Sequence, residues 1–168
     1  MTIELPPDVA KGYRPCIGLM IVKPGCGVFL GRRAGVASGW QMPQGGIDKA
    51  EKPEVAAMRE LAEETGLTDA QIVQTHPDWL NYDLPNWAIY RPWRNRWIGQ
   101  TQKWFLLRYE GSDSAINLTN HEIEFEDWRW ASTDDVLEEI VDFKRGVYQR
   151  VFESLAQPAN AIINGKHE

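Results

Sequence analysis

Residues 15–22 (PCIGLMIV) form a near-continuous apolar run that ends in Lys23-Pro24-Gly25. That pattern predicts a buried strand followed by a turn. A second short strand over 28–31 completes a hairpin and delivers Arg32 and Arg33 at its end. A loop over 35–39 then leads into Trp40-Gln41-Met42-Pro43-Gln44-Gly45-Gly46, where Pro43 argues against a central strand. Residues 70–75 read as a strand, and 79–85 follow as a separate segment. Residues 102–109 (QKWFLLRY) are apolar and aromatic and predict another strand. Over 124–130, Phe125, Asp127 and Arg129 alternate with Glu126, Trp128 and Trp130, the period of a half-buried strand. Ser132 with Asp135 marks a helix start, Asp standing where Glu or Gln usually closes a capping box. Phe143, Val147, Val151 and Leu155, flanked by Tyr148 and Phe152, form the apolar stripe of a last helix over 143–155. The chain is expected to fray after Gln157 and to be loose before Gly12.

Between the early strands and the strand at 70–75 lies a helix with well-marked ends. Pro53 suits its first position, where the missing N–H has no partner to lose. Gly66 suits the left-handed residue just past its end. Good helix formers, including Ala56, Ala57, Met58 and Leu61, fill the interior. On this helix Glu60, Glu63 and Glu64 stand at i, i+3 and i+4, so three carboxylates share one face. Two like charges ~5 Å apart repel by roughly 3 kcal/mol at an effective dielectric near 20. Such a face either splays into water, the commoner outcome for an isolated Glu-x-x-Glu-Glu, or holds a cation. Strands before, between and after two or three helices give an α/β layered domain. At 168 residues the chain reads as one domain over 1–168, ordered over about 12–155 with loose termini.

Composition adds exclusions. Apolar residues make up 43% and charged residues 25%, which is ordinary for a globular chain. The net charge of −6 argues against a broad electrostatic grip on nucleic acid, though not against recognition of one nucleic-acid end. Cys16 and Cys26 are the only cysteines and form neither a disulfide framework nor a metal-ligand spacing. The first residues show no basic start followed by an apolar run, and no run approaches the length of a membrane span. These features together give the expectation of a cytoplasmic protein in a reducing compartment.

Glu60, Glu63 and Glu64 offer only oxygen, which suits hard cations such as Mg²⁺, Mn²⁺ or Ca²⁺. Ions of this kind neutralise phosphates and acidify a coordinated water, so the reaction class that follows is hydrolysis of a phosphoanhydride. Arg59, four residues before Glu63, is placed to hold that carboxylate. Among acids outside the helix, Glu124 is the leading candidate for a further ligand or base. His76, His121 and His167 are scattered and read as surface residues, and no Ser/His/Asp set is visible. A nucleotide-binding module without turnover would need a broken carboxylate set, and none is broken.

The helix sits in a longer pattern: Gly45, five residues, Glu51, seven residues, Arg59-Glu60, an aliphatic residue, one residue, Glu63-Glu64, one residue, Gly66 and Leu67. This resembles the Nudix box without a mismatch. Further stretches, Gly12-Tyr13-Arg14-Pro15, Trp40 to Gly46, Trp79-Leu80-Asn81-Tyr82, Ile98 to Phe105, Glu124 to Trp130 and Phe143-Lys144-Arg145, are similar to the RNA pyrophosphohydrolase branch of the Nudix hydrolases. That branch merges with the dinucleoside polyphosphate hydrolases. The resemblance implies an α/β/α sandwich with a mixed sheet. It implies Mg²⁺ or Mn²⁺ held by Glu60, Glu63, Glu64, the Gly45 carbonyl and Glu124, with Glu64 favoured as the base. It places Arg33, Gln100, Lys103 and Lys144 near the phosphates, Val141 and Phe143 against the terminal base, and Tyr82 facing substrate. The implied substrate is a 5′-triphosphate RNA end, or alternatively a diadenosine polyphosphate cut asymmetrically with ATP as one product. The segment 79–85 leans toward the second. The stretch 86–97, with Trp87, Trp93 and Trp97 beside Arg91, Arg94 and Arg96, suits either stacking a base or covering the sheet.

Overall fold

A computed structural model describes residues 3–4, 6–85, 87 and 96–165. Its strands are β1 (Tyr13–Lys23), β2 (Gly27–Arg33), β3 (Trp40–Gln41), β4 (Gln44–Gly46), β5 (Gln71–Asp83), β6 (Gly99–Arg108) and β7 (Phe125–Ala131). Its helices are α1 (Pro53–Thr65), α2 (Thr133–Glu139) and α3 (Asp142–Ile163). The strands join one mixed sheet in the order β3-β2-β1-β6-β5, with β4 beside β1 and β7 beside β2. The β1–β6 pair is parallel and the other pairs are antiparallel.

The continuous apolar run in β1 has a simple cause: both faces of the sheet are covered. Ile17, Leu19 and Ile21 pack with Phe105 and Leu107 against Ala56, Ala57 and Leu61 of α1. Met20 and Val22 pack with Trp104 and Leu106 against Val136, Val147, Val151 and Leu155 of α2 and α3. The result is an α/β/α sandwich, as the family resemblance implies. The edge of β1 changes partner along its length. Residues Cys16 to Gly18 pair with β4, and Val22 and Lys23 pair with β2. Between these pairings the chain passes through Met42-Pro43, and Tyr148 of α3 pins it by accepting from the Met42 N–H at 2.9 Å.

Several expectations are corrected. β5 does not stop at Thr75. It runs on through Pro77 with a register shift between Thr75 and Trp79, because an edge strand tolerates a residue without an N–H. His76 is not a surface residue: it is buried, with Nδ1 accepting from the Asp78 N–H at 3.0 Å and Nε2 donating to the Arg150 carbonyl at 3.1 Å. In β7 the alternation breaks at a bulge opposite Arg32 and Arg33. Phe125, Trp128 and Trp130 therefore all gather around Phe29, at centroid distances of 6.3, 5.9 and 6.0 Å. Helix α3 continues past Leu155 and Gln157 to Ile163. Pro158 leaves the Ser154 carbonyl without its intrahelical donor, but Ala159 and Ile162 are buried and hold the last turns down. Before Gly12, Asp8 accepts from Asn81, and Val9–Lys11 form a 3-10 turn, so this stretch is tied to the domain. Arg91, Trp93, Arg94 and His167 lie outside the described residues.

Candidate active site

Helix α1 ends as its sequence dictates. Pro53 opens it, and Gly66, at φ 77°, donates back to the Ala62 carbonyl at 3.0 Å. This fixes the rotation that turns Glu60 and Glu64 inward against β4, where both are buried. Gly45 makes room for Glu60: a Cβ at that position would lie 2.1 Å from the Glu60 carboxylate carbon. Glu60 is the flexible end of a side chain, so Gly45→Ala is expected to displace the carboxylate while leaving the fold intact. The expected result is a loss of kcat by about two orders of magnitude, comparable with losing one positioned catalytic group, with little change in Tm. Paired steady-state kinetics and thermal melts check it.

Arg59 organises the acids around it. Its Nε and Nη2 take both oxygens of Glu51 at 2.8 Å, a bidentate pair. Nη2 also donates to the Gly46 carbonyl at 2.8 Å. Nη1 donates to Glu60 at 2.9 Å and to Glu63 at 3.2 Å. The expected contact with Glu63 is present, as one of several. Glu63 is half-buried, and His121 Nε2 lies 3.8 Å from its other oxygen.

Glu64 differs from its neighbours. It is 6% exposed, and its Oε2 is buried with no hydrogen-bond partner. Burial pushes its carboxyl well above the ordinary range, and the charges of Glu60 and Glu124 add to this, while a backbone hydrogen bond from Gln44 opposes it. Glu60 is raised as well, by burial first, against the pull of Arg59. Buried carboxylates that raise one another's pKa are stabilised by a cation placed among them. The orphaned Glu64 oxygen and the side-chain-free approach at Gly45 both fit a divalent ion. Among the described residues, no three His, Cys, Asp or Glu side chains are gathered closely enough to hold an ion as placed. Arg59 takes the charge of Glu60 and Glu63 instead.

Glu60, Glu64 and Gly45 form one wall of a cleft of about 680 Å³. Arg33, Tyr82, Gln100, Glu124, Phe143 and Lys144 line it too, so most of the residues named from the sequence converge there. Lys144 is 5% exposed and donates to Gln41 Oε1 at 3.2 Å. Its Nζ lies 5.9 and 5.8 Å from the Tyr82 and Phe143 rings. Burial, helped by the nearby charge of Arg33, lowers its pKa to about 8.

Four of the named residues do not line the cleft: Glu63 lines an adjoining hollow with Glu60, Glu64 and Glu124, Arg59 reaches the site through its bond to Glu60, and Lys103 and Val141 are not brought in. Lys103 lies on the opposite face of β6 from Gln100, donates to the Pro77 carbonyl at 3.0 Å and sits 5.9 Å from the Trp79 ring. Strand residues three apart face opposite sides, so Gln100 and Lys103 do not share a site. Val141 is the exposed residue that caps α3 and does not line the cleft. Sequence reasoning also missed residues. Arg14, Gln41, Gln44 and Glu122 line the cleft. Gln44 accepts from Gln102 at 3.1 Å, and Gln102 accepts from the buried Trp104 indole at 2.9 Å. Gln102 was legible as a polar residue in an apolar strand on the same face as Gln100.

Comparison with known proteins shows the family. The NUDIX domain matches residues 12–151. The chain is 46% identical over 153 residues to the RNA pyrophosphohydrolase of Roseobacter denitrificans, covering 89% of this chain and 96% of that protein. It is 44% identical to Nudix hydrolase 25 of Arabidopsis thaliana, covering 94% and 91% respectively. In structure it resembles the E. coli dihydroneopterin triphosphate pyrophosphohydrolase, with a TM-score of 0.62 at 18% identity over 87% of this chain and 99% of that one. It also resembles a C. elegans Ap4A hydrolase, with a TM-score of 0.61 at 19% identity over 86% and 98%. At these identities the structural likeness concerns the fold alone. The chain belongs to the Nudix family. It is a Nudix hydrolase acting on acid anhydrides, and enzymes of this class use divalent metal ions. Among the described residues, no helix is long and apolar enough to cross a membrane.

Proposed function

We propose that this enzyme removes pyrophosphate from the 5′-triphosphate end of RNA and leaves a 5′-monophosphate. The carrying observation is the meeting, in one cleft, of buried carboxylates, the cationic Arg33 and Lys144, and the aromatic pair Tyr82 and Phe143, whose centroids are 6.0 Å apart. Curated relatives named RNA pyrophosphohydrolase, 43–46% identical over most of this chain, support the substrate.

Glu60, Glu64 and the Gly45 carbonyl, joined by Glu124 and Glu63, would hold Mg²⁺ or Mn²⁺. When bound, such an ion offsets phosphate charge and lowers the pKa of a water. Glu64, closed off from solvent at the cleft floor, is assigned the proton from the attacking water. Arg59 keeps Glu60 and Glu63 oriented. Arg33 and Lys144 grip phosphate oxygens, Gln100 donates from β6, and Tyr82 with Phe143 receives the terminal base. Unpaired Cys16 and Cys26 favour a reducing compartment, and we place the enzyme in the cytoplasm.

The segment 79–85 carries Tyr82 and Leu84 into the cleft, and this favours diadenosine tetra- or pentaphosphate as a second substrate. Turnover of a 5′-triphosphate oligoribonucleotide is to be compared with turnover of both dinucleotides under one set of metal conditions. RNA is expected to be preferred, and a hundredfold preference for a dinucleotide reverses the assignment.

Lys144 gives a pH prediction. Its protonated form attracts phosphate, and burial makes it lose that proton near pH 8, well below an exposed lysine. As pH rises through about 8, kcat/KM, which reports free-enzyme ionisations, is expected to fall toward unit slope. Lys144→Met is expected to lower kcat/KM about tenfold or more at pH 7 and to lack this alkaline limb. A limb of unchanged slope in the variant assigns it to another group.

A further inference from the structure

Strands β2 and β7 pair residue for residue from Val28 opposite Ala131 to Arg32 opposite Asp127, and then slip, so that Arg33 stands opposite Phe125. Glu126 is the residue left over in that slip. One position along a strand is about 3.3 Å, and a slip by one exchanges the two faces of the sheet. An unbroken ladder would set Phe125 opposite Ala34 and Glu124 opposite Gly35. With the extra residue, the Ala34 N–H donates instead to the Glu124 carbonyl at 2.9 Å. Glu124 then lines the cleft together with Arg33, and the adjoining hollow together with Glu60, Glu63 and Glu64. A bulge beside a site re-aims a side chain, and here the side chain re-aimed is Glu124.

The extra residue locks its own bulge. Glu126 lies outside the cleft lining. Its Oε1 accepts from the Gly35 N–H at 2.6 Å, and its Oε2 accepts from Arg32 Nη1 at 3.2 Å. Gly35 holds φ at 78°, a left-handed conformation that suits glycine, at the point where its N–H meets the carboxylate. The loop behind it is closed by the Arg33 N–H on the Gly39 carbonyl at 2.9 Å and the Val36 N–H on the Arg33 carbonyl at 3.1 Å. One carboxylate therefore grips the chain on both sides of Arg33. The Arg32 and Glu126 side chains are 25% and 44% exposed, and an ion pair this exposed adds little to stability. What the contact supplies is geometry.

We propose that Glu126 is a positioning residue for the hydrolysis: by locking the bulge it holds Glu124 in register with Arg33, so that the carboxylate meets the cation while the guanidinium meets the phosphates. The assignment rests on the reading of Glu124 as a ligand in the cleft. Glu126 touches neither substrate nor ion and acts through Glu124.

The test is a double-mutant cycle between Glu126→Ala and Glu124→Gln. It is read by steady-state kinetics on a 5′-triphosphate oligoribonucleotide and on diadenosine tetraphosphate, by calorimetric binding of Mn²⁺ without substrate, and by thermal melts. Glu126→Ala is expected to lower kcat about tenfold, as a small misplacement of a catalytic group does, and to weaken Mn²⁺ binding. KM is expected to stay within about twofold, and Tm within about 2 °C, because the pair is exposed. Glu126→Gln keeps an oxygen for the Gly35 N–H and is expected to recover most of the rate. In the Glu124→Gln background, Glu126→Ala is expected to cost nothing further, since residues that act as a unit are not additive. Because Glu124 serves the cation, the cycle reads the same on whichever substrate is turned over. Losses that multiply in the double variant overturn the proposal, as does a loss of rate that follows a loss of Tm and that Gln does not rescue. Wild-type kinetics in Glu126→Ala, with Glu124→Gln impaired, sink this inference alone and leave the reading of the cleft standing. If Glu124→Gln itself turns over and binds Mn²⁺ as the wild type does, Glu124 leaves the cleft chemistry and the role of Glu126 falls with it.

Discussion

Replacing Glu64 with Gln is expected to lower kcat by about three orders of magnitude, within the range lost with a positioned general base, while the protein stays folded. Glu64 is the most enclosed carboxylate of the site, and one of its oxygens meets no protein donor. The change removes the proton acceptor and a cation ligand but preserves volume. Without divalent cation, the variant should melt slightly higher than the wild type, by a few degrees. A neutral amide avoids both the desolvation of the carboxylate and the repulsion from Glu60 and Glu124, and for a chain of this size roughly 1 kcal/mol moves Tm by about 2–4 °C. Adding Mg²⁺ should raise the wild-type melt more than that of the variant, because a ligand stabilises the state that binds it. Thermal melts with and without Mg²⁺, together with steady-state kinetics, check all three outcomes. A variant that turns over normally, or that unfolds, removes Glu64 from its assigned role.

The second large effect is expected at Arg59, and here the loss is of stability as much as of rate. One guanidinium holds both oxygens of Glu51, one oxygen each of Glu60 and Glu63, and the Gly46 carbonyl. The Glu51 and Glu60 side chains are only 12% exposed. Arg59→Met keeps the aliphatic stem and deletes the charge, leaving partly buried carboxylates without a partner. Removing one member of a buried pair costs roughly 3–5 kcal/mol, and partial exposure discounts this to about 2–3 kcal/mol. Chemical denaturation in chelator reads the loss. Saturating Mg²⁺ should recover part of it by supplying the missing positive charge, while kcat stays at least tenfold down because Glu60 is no longer oriented. Arg59→Lys should recover little, since an ammonium cannot make the bidentate contact.

What could be read from the sequence follows how local each signal is. The carboxylate face of α1 was legible because Pro53, Gly66 and helical spacing fix it within one element. The two strands of the hairpin and Ser132 as a helix cap were legible for the same reason; Ser132 accepts from the Asp135 N–H at 3.1 Å. Long-range facts were not. Nothing near Pro77 announces that β5 crosses it; that depends on β5 lying at the sheet edge. Burial of His76 depends on the Arg150 carbonyl, 74 residues away. The run of α3 past Pro158 depends on Ala159 and Ile162 finding the sheet. Lys103 is a different lesson. The family likeness carried it along with Gln100, while the two-residue period of the strand already set them on opposite faces.

Everything functional rests on the acidic wall of the cleft gathering around a divalent ion. The most direct test is a crystal structure with Mn²⁺ and a 5′-triphosphate RNA analogue whose scissile bridge cannot be hydrolysed, with the ion placed by its anomalous signal. The account predicts manganese between Glu60, Glu64 and the Gly45 carbonyl, bridging to the phosphates. Manganese found elsewhere, with Glu64 still facing no ligand, would contradict it.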